Sequence, residues 1–249
     1  MSELKEPIIF AVETATRAGS VALARGSELL SSASGDSAAS HSTDLIETVA
    51  RILQSGGAQL SEVDLFTAAV GPGSFTGLRI GLATIKSFAA CTGKRCAGVS
   101  TLAAIAHAAG ESERTVALLP AGRGEMFAQM FSVAAGQVRE LDDAAHLSPA
   151  AILEKYGAAE TLIWAGEGAH LQVEALRDRA RAQNFPFNVS GVAQAGWNLA
   201  LTADQLAVSI AALALNAYRS GETITPNELS AVYVRASDAE INEKWQREN

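Results

Sequence analysis

Residues 70–81 constrain the fold more than any other segment of this chain, because they join a strand pattern to a helix pattern through a glycine-rich turn. The apolar run 65–70 is typical of a buried strand, and residues 78–90, with no helix breaker after Gly81, predict a helix. The glycines and the proline between them predict a tight turn with unusual backbone angles. The residues of this turn that we single out are Gly71, Pro72, Gly73, Ser74, Phe75, Thr76, Gly77 and Arg79.

The turn has two interpretations. A hydroxyl of Ser74 or Thr76 is expected to cap the helix by accepting a bond from its first amides. A strand, a glycine-rich turn and a capped helix are together typical of an anion-binding site. The same construction also lets a helix pack closely on its sheet. The spacing of the glycines matches neither the dinucleotide fingerprint nor the phosphate loop.

Arg79 is unusual in the first turn of a helix, because a cation there opposes the helix dipole at a cost of about 0.3–1 kcal/mol. We therefore expect a carboxylate, from this chain or from a partner, or an anionic ligand to hold it. The remaining residues of the helix are mostly small or apolar. This pattern predicts a helix that is buried on nearly all sides, or buried against another subunit.

Composition excludes several classes of protein. The net charge of −8, without a basic cluster, argues against direct high-affinity binding of nucleic acid. The first residues lack the apolar core of a signal peptide, and no apolar run is long enough to span a bilayer. The two cysteines, Cys91 and Cys96, are predicted to be buried free thiols. We expect a cytoplasmic protein with no membrane partner.

The hydrophobic pattern predicts the element order βββαβα twice. The first copy has strands and helices over residues 8–13, 20–24, 28–33, 42–55, 65–70 and 78–90. The second copy has them over residues 115–119, 125–133, 137–141, 148–156, 161–165 and 168–182. Residues 99–102 are predicted to cross over into a short helix, and residues 185–197 to form a loop. A last helix over 203–219 is predicted to open with a capping box of Thr202 and Gln205.

The string Gly-Pro-Gly-Ser-Phe-Thr-Gly-Leu-Arg-Ile-Gly at 71–81 resembles the signature of the TsaB family, also called YeaZ. Residues 10–16, 41–45, 98–102 and 233–235 are also similar to that family, so the resemblance covers nearly the whole chain. The family belongs to the actin-like ATPase superfamily, whose two lobes are duplicated halves of the order predicted here. The resemblance therefore implies an actin-like α/β fold with duplicated βββαβα units in two lobes.

We predict three segments on this basis. The first lobe covers residues 1–108, together with a returning helix and tail over about 203–235. The second, smaller lobe covers residues 109–202. A charged C-terminal tail covers residues 236–249.

In nucleotide-hydrolysing members of the superfamily, each lobe presents an acidic hairpin tip to a metal-bound phosphate. Here the acid that relatives have at the second tip is absent, within residues 120–124, and the arginine is displaced by one position. One acidic tip is a poor magnesium site, because Mg²⁺ requires several oxygen ligands. We interpret both tips as vestigial, with Glu13 bonded to local amides or to an arginine. The residues concerned are Glu13, Thr14, Thr16, Arg123 and Glu125.

The sequence offers no catalytic constellation. The four histidines are scattered, and none shares a helix face with another at the spacing of a metal pair. We expect no catalytic residue, no metal and no cofactor within the chain. A nucleotide at an interface with a partner is left open.

The resemblance implies a non-catalytic subunit that supports TsaD, the subunit that transfers threonylcarbamoyl to the adenosine beside the anticodon of tRNA. TsaE, an ATPase, would join the pair, and tRNA would be contacted only indirectly. Helices over about 42–55 and 76–90 would bind TsaD, or a second copy of the chain when it is alone. The predicted interface residues are His41, Leu45, Glu47, Val49, Leu53, Arg79, Leu82 and Lys86.

Several alternatives stay open. Glu47, Asp44 or a partner's carboxylate is expected to hold Arg79, and ordinary core packing explains Leu45, Val49 and Leu53 equally well. A small-molecule ATPase or kinase of the actin-like fold would bind ATP with magnesium. A peptidase would require a nucleophile and a base, for which the sequence nominates no residues.

Overall fold

The computed structural model describes residues 6–35, 41–189 and 195–234, with the side chains of residues 41–44 excluded. The first half of the chain forms a five-stranded sheet in the order β3-β2-β1-β4-β5, in which β1–β3 are antiparallel and β4 and β5 run parallel to β1. Its elements are β1 (Ile8–Glu13), β2 (Ser20–Arg25), β3 (Glu28–Ser34), α1 (His41–Ser55), β4 (Leu65–Gly71), α2 (Phe75–Thr92), β5 (Arg95–Ser100) and α3 (Thr101–Ala108).

The second half repeats this arrangement, in the sheet order β11-β12-β10-β6-β7-β8, with β9 pairing beside β7. Its strands are β6 (Ser112–Gly122), β7 (Glu125–Ala134), β8 (Gln137–Glu140), β9 (Ala145–Leu147), β10 (Leu162–Ala165), β11 (Phe187–Val189) and β12 (Trp197–Leu199). Its helices are α4 (Pro149–Tyr156), α5 (Glu167–Leu171), α6 (Val173–Ala182) and α7 (Leu206–Ser220). The predicted duplicated α/β architecture is confirmed.

Helices cover both faces of each sheet, which explains why residues 8–12 of β1 are continuously apolar rather than alternating. α1 and α2 pack on one face of the first sheet, and α7 packs on the other. α3 contacts both halves, because Leu102, Ile105 and Ala106 pack against the second sheet and Ala104 packs in a core of the first. α4, α5 and α6 cover the outer face of that sheet.

The two inner helices, α3 and α7, also contact each other. The Nδ1 atom of His107 lies 3.1 Å from the hydroxyl oxygen of Ser209, and burial lowers the pKa of His107. α7 follows the second sheet in the chain but packs on the first sheet, and α3 follows the first sheet but packs on the second. Each half therefore contributes one helix to the core of the other.

Four strands were not predicted. β5 contains a glycine and an arginine, and β9, β11 and β12 have three residues each, so none carries a hydrophobic period long enough to read. The predicted helix 168–182 is two helices, which meet at Gln172.

The predicted capping box of the last helix is wrong. α7 begins at Leu206, and the amide side chain of Gln205 lies 2.5 Å from the hydroxyl of Ser32 instead of capping the helix. The hydroxyl of Ser20 accepts a bond from the amide of Ala207 at 2.9 Å. A strand of the first sheet thus supplies the cap. Gly221 ends α7 in a left-handed conformation.

Both cysteines are free thiols, but only Cys96 is buried, so the prediction for Cys91 is wrong. Burial raises the pKa of Cys96 to about 11. No helix within the described part of the chain is both long and apolar enough to traverse a bilayer. The predicted tail 236–249 lies outside the described residues.

Candidate functional site

The glycine-rich turn leads from β4 into α2 and contains a cis peptide bond between Gly71 and Pro72. The hydroxyl of Ser74 accepts a hydrogen bond from the amide of Gly77 at 3.2 Å, which confirms Ser74 as one of the two predicted caps. Thr76 is exposed within the first turn of α2. The helix therefore begins three residues earlier than its apolar pattern indicates.

The turn and α2 pack directly against the first hairpin tip, residues 13–19 between β1 and β2. The hydroxyl of Thr14 donates to the carbonyl of Gly77 at 2.7 Å, and the amide of Ser74 donates to the carbonyl of Ala15 at 2.8 Å. A Cβ atom on Gly77 would overlap the carbonyl oxygen of Thr14, and one on Gly81 would overlap the Thr14 hydroxyl. Only glycine permits the close approach of the two backbones at Gly77, and a larger residue at Gly81 would displace the Thr14 hydroxyl from its hydrogen bond.

This packing favours one of the two interpretations of the turn. A Cβ atom on Gly73 would also lie only 2.6 Å from the carbonyl oxygen of Ala15. The amides of Ser74 and Gly77 are bonded to protein oxygens, and that of Leu78 is bonded to the Ser74 carbonyl. These three amides are thus used within the chain, which favours close packing as the role of the turn.

Glu13, at the first tip, is buried, with 1% of its surface exposed. Its Oε1 atom accepts a bond from the amide of Thr16 at 2.7 Å, and its Oε2 atom accepts one from the hydroxyl of Thr16 at 2.7 Å. The alternative that Glu13 is bonded to a local amide is therefore confirmed. The carboxylate shapes the backbone of the tip.

Replacing Glu13 by glutamine should destabilise the protein by about 1–3 kcal/mol, because an amide cannot accept both bonds from Thr16 in this buried place. The measurement is the free energy of unfolding in urea. Glu28→Gln, at an exposed acid at the start of β3, is the matched control. Equal unfolding free energies for the two variants would contradict a structural role for Glu13.

The second hairpin tip connects β6 and β7 through Arg123 and Gly124, which both have positive φ, of 53° and 80°. Gly122 pairs with Glu125 across this two-residue turn, as in type I′ hairpins. The carboxylate of Glu125 lies 3.1 Å from Nε2 of His146 in β9. The acid beyond this tip therefore faces a histidine of the neighbouring strand.

A cleft of about 220 Å³ lies between the first hairpin tip and the second sheet. Its walls are mostly apolar, from α3, β6 and the loop before α7, and its charged residues are Glu13, Arg17, Glu167 and Asp204. Three carboxylates and one guanidinium repel a polyphosphate unless a cation accompanies it. Within residues 6–35, 41–189 and 195–234, no cluster of three His, Cys, Asp or Glu side chains could hold a metal ion.

The predicted interface residues separate into two groups. Leu45, Val49 and Leu82 are buried in the core between α1, α2 and the first sheet, and Leu53 packs against that core. The packing alternative is thus confirmed for Leu45, Val49 and Leu53, and it applies to Leu82 as well. Of the predicted residues, Glu47 and Arg79 are exposed. They lie on the opposite side of the two helices, together with Ile46, Ala50, Thr76, Ala83, Ser87 and Ala90, which were not among the predicted interface residues.

α2 is not buried on nearly all sides, because this exposed stripe continues along its length. Most of these exposed positions were not identified from the sequence, although they lie half a helical turn from the buried leucines and could be located from that spacing. Lys86 is half-buried, and its Nζ atom donates to the carbonyl of Leu229 at 3.0 Å. No ion pair joins Arg79 to Glu47 or to another carboxylate among the described side chains. His41 and Asp44 have side chains outside that description.

Comparison with known proteins adds to these observations. A family model described as TsaD, tRNA N6-adenosine threonylcarbamoyltransferase, matches residues 35–243. YeaZ from Pseudomonas aeruginosa is 27% identical, with a TM-score of 0.74 over 91% of this chain and 99% of that chain. A second solved structure, an uncharacterized protein with similarity to peptidase YEAZ from Pseudomonas aeruginosa, is 27% identical, with a TM-score of 0.76 over 92% of this chain and 100% of that chain. This protein belongs to the family described as TsaD, tRNA N6-adenosine threonylcarbamoyltransferase, and it has an actin-like α/β fold similar to that of YeaZ.

Proposed function

We propose that this protein is a non-catalytic subunit of the machinery that makes threonylcarbamoyladenosine in tRNA, and that the outward faces of α1 and α2 bind the transferase TsaD. The family match and the two similar structures support a role in this modification. The proposal further includes self-association through the same faces, recruitment of TsaE, and only indirect contact with tRNA. The net charge of −8 supports the last point.

One observation carries the non-catalytic part of the proposal. The first hairpin tip, which in nucleotide-hydrolysing members of the superfamily faces a metal-bound phosphate, is here fastened to the glycine-rich turn. Thr14 is bonded to Gly77, and Ala15 is bonded to Ser74. The hairpin tip therefore fixes the start of α2 and stabilises the surface that this helix presents, and the groups that bond to the turn are not open to a ligand.

The shared face of α1 and α2 has the chemistry of a protein interface. Ile46 is 60% exposed, which leaves a large apolar side chain in solvent when the chain is alone. On α2 the exposed positions Ala83, Ser87 and Ala90 are small, so a partner helix can approach the backbone closely. Small and apolar residues on two adjacent helices favour helix-to-helix association.

The test is a reconstituted reaction of TsaD, with tRNA threonylcarbamoylation measured in the presence of this protein and in its absence. We expect the reaction to require this protein, while Arg17→Ala and Glu167→Gln, which change charged residues of the cleft, alter the rate by less than about twofold. Loss of the reaction in either folded cleft variant would contradict a non-catalytic role.

A small-molecule ATPase or kinase is the second candidate, and the apolar cleft between the lobes is the observation that favours it. Titration calorimetry of the isolated protein with ATP and magnesium decides between the two. A heat of binding that Arg17→Ala removes would favour the enzyme, and the absence of any heat would exclude it.

A further inference from the structure

Arg79 is held by an aromatic ring, and no carboxylate among the side chains that the structure describes pairs with it. Its guanidinium carbon lies 3.8 Å from the centroid of the Phe75 ring, within the range of a cation–π contact. The Phe75 ring in turn lies 5.3 Å from the ring of Tyr233, with an interplanar angle of 37°. The guanidinium is thereby held in one place at the start of α2, although the side chain is exposed.

The ring of Tyr233 is positioned by residues 224–234, which we call the C-terminal strap. The strap begins with two 2.8 Å bonds between the backbones of Ile224 and Cys96. Leu229 is buried, and its carbonyl accepts the bond from Lys86. The amide of Val232 donates to the carbonyl of Val70 at 2.7 Å. Three anchors therefore hold the strap along β5 and across the glycine-rich turn.

The chemistry of this surface is that of a receptor for a carboxylate. The described side chains include no acid paired with Arg79, and the helix dipole disfavours its charge, so an acid from outside would be favourable on both counts. Val232 and Tyr233 are 55% and 46% exposed beside it, which adds an apolar rim. A preset guanidinium binds a carboxylate through two parallel bonds, because its planar fork loses little further freedom.

We propose that Arg79, Phe75 and Tyr233 form a docking site for an acidic side chain of TsaD, flanked by an apolar residue that contacts Val232. The inference rests on the proposed function and names the chemistry of the partner. Arg79 is the residue that contacts the acid, and Phe75 and Tyr233 are positioning residues. The site is continuous with the outward face of α2, where Thr76 and Ala83 are exposed.

The experiment measures the dissociation constant of the complex with TsaD by biolayer interferometry, at about 50 and about 500 mM NaCl. Arg79→Ala should weaken binding about 10- to 100-fold at low salt, and the difference should shrink at high salt. Arg79→Lys should recover only part of the affinity, since lysine keeps the charge but lacks the fork. Arg139→Ala, at an exposed arginine of β8, is the matched control, and circular dichroism verifies that each variant is folded.

Replacing the acidic residues of TsaD by alanine one at a time then identifies the acid. Its substitution should weaken the complex with the wild-type protein but should weaken the complex with Arg79→Ala no further. If the wild-type protein binds TsaD, and Arg79→Ala binds it with the same affinity as Arg139→Ala, the inference is overturned while the proposed function stands. Failure of the wild-type protein to bind TsaD would overturn the proposed function, and the inference with it. If Arg79→Ala abolished self-association but left the affinity for TsaD unchanged, the acid that binds Arg79 would belong to a second copy of this chain, and TsaD would be excluded as the occupant of the site.

Discussion

Replacing Gly77 by alanine should destabilise this protein by about 3 kcal/mol or more, although alanine is normally the better helix former. The reason is the contact between α2 and the first hairpin tip. The added methyl group would overlap the carbonyl oxygen of Thr14 and lie 3.1 Å from its carbonyl carbon. Both atoms belong to the backbone, so neither can rotate away, and the Thr14–Gly77 hydrogen bond must break or the tip must move. The measurement is the free energy of unfolding in urea.

The matched control for this variant is Gly93→Ala, at the other end of α2. Gly93 has a φ of 68°, which strains an alanine, but a Cβ atom there meets nothing within 4 Å. We expect a cost of about 1 kcal/mol from the backbone alone. If Gly93→Ala proved as destabilising as Gly77→Ala, close packing would not be the reason for the glycine signature.

Replacing Ala83 by glutamate should weaken the complex with TsaD about 100-fold or more while leaving the isolated protein as stable as the wild type. Ala83 is exposed on the outward face of α2. Glutamate has a good helix propensity, so the free chain tolerates it. In the complex the long side chain would keep the partner from approaching the helix backbone at this position, and its carboxylate would compete with the partner's acid for Arg79, four residues earlier on the same face. The dissociation constant measures the first effect, and thermal unfolding of the free protein measures the second.

Ala182→Glu, at the exposed last residue of α6, is the control for the same chemical change in the second lobe. It should leave the affinity unchanged. A TsaD complex that tolerated Ala83→Glu but not Ala182→Glu would move the interface to the other lobe and contradict the proposed function.

The duplicated order was readable because its main elements carry long hydrophobic patterns. Residues 8–12 of β1 and most residues of β4 are apolar, and α1 has its apolar residues at helical spacing. β5, β9, β11 and β12 lack such patterns, because their partners in the sheet and not their own residues determine them. The start of α7 was misjudged for a similar reason, since its cap comes from Ser20, far away in the sequence.

The site was only partly readable from the sequence. The glycine signature was identified, and Ser74 was recognised as a possible cap, but the purpose of the glycines depends on Thr14 and Ala15. That contact joins residues about sixty positions apart, so no local pattern shows it. The aromatic support of Arg79 was missed in the same way, because Tyr233 reaches Phe75 only through the C-terminal strap.

The most direct measurement is size-exclusion chromatography with multi-angle light scattering, on this protein alone and mixed with TsaD from the same organism. We predict that the mixture elutes as a stoichiometric complex of the two chains, and that any homodimer present in the isolated sample disappears into it. Two separate peaks, each with the mass of its free protein, would contradict the proposal that the first lobe binds the transferase.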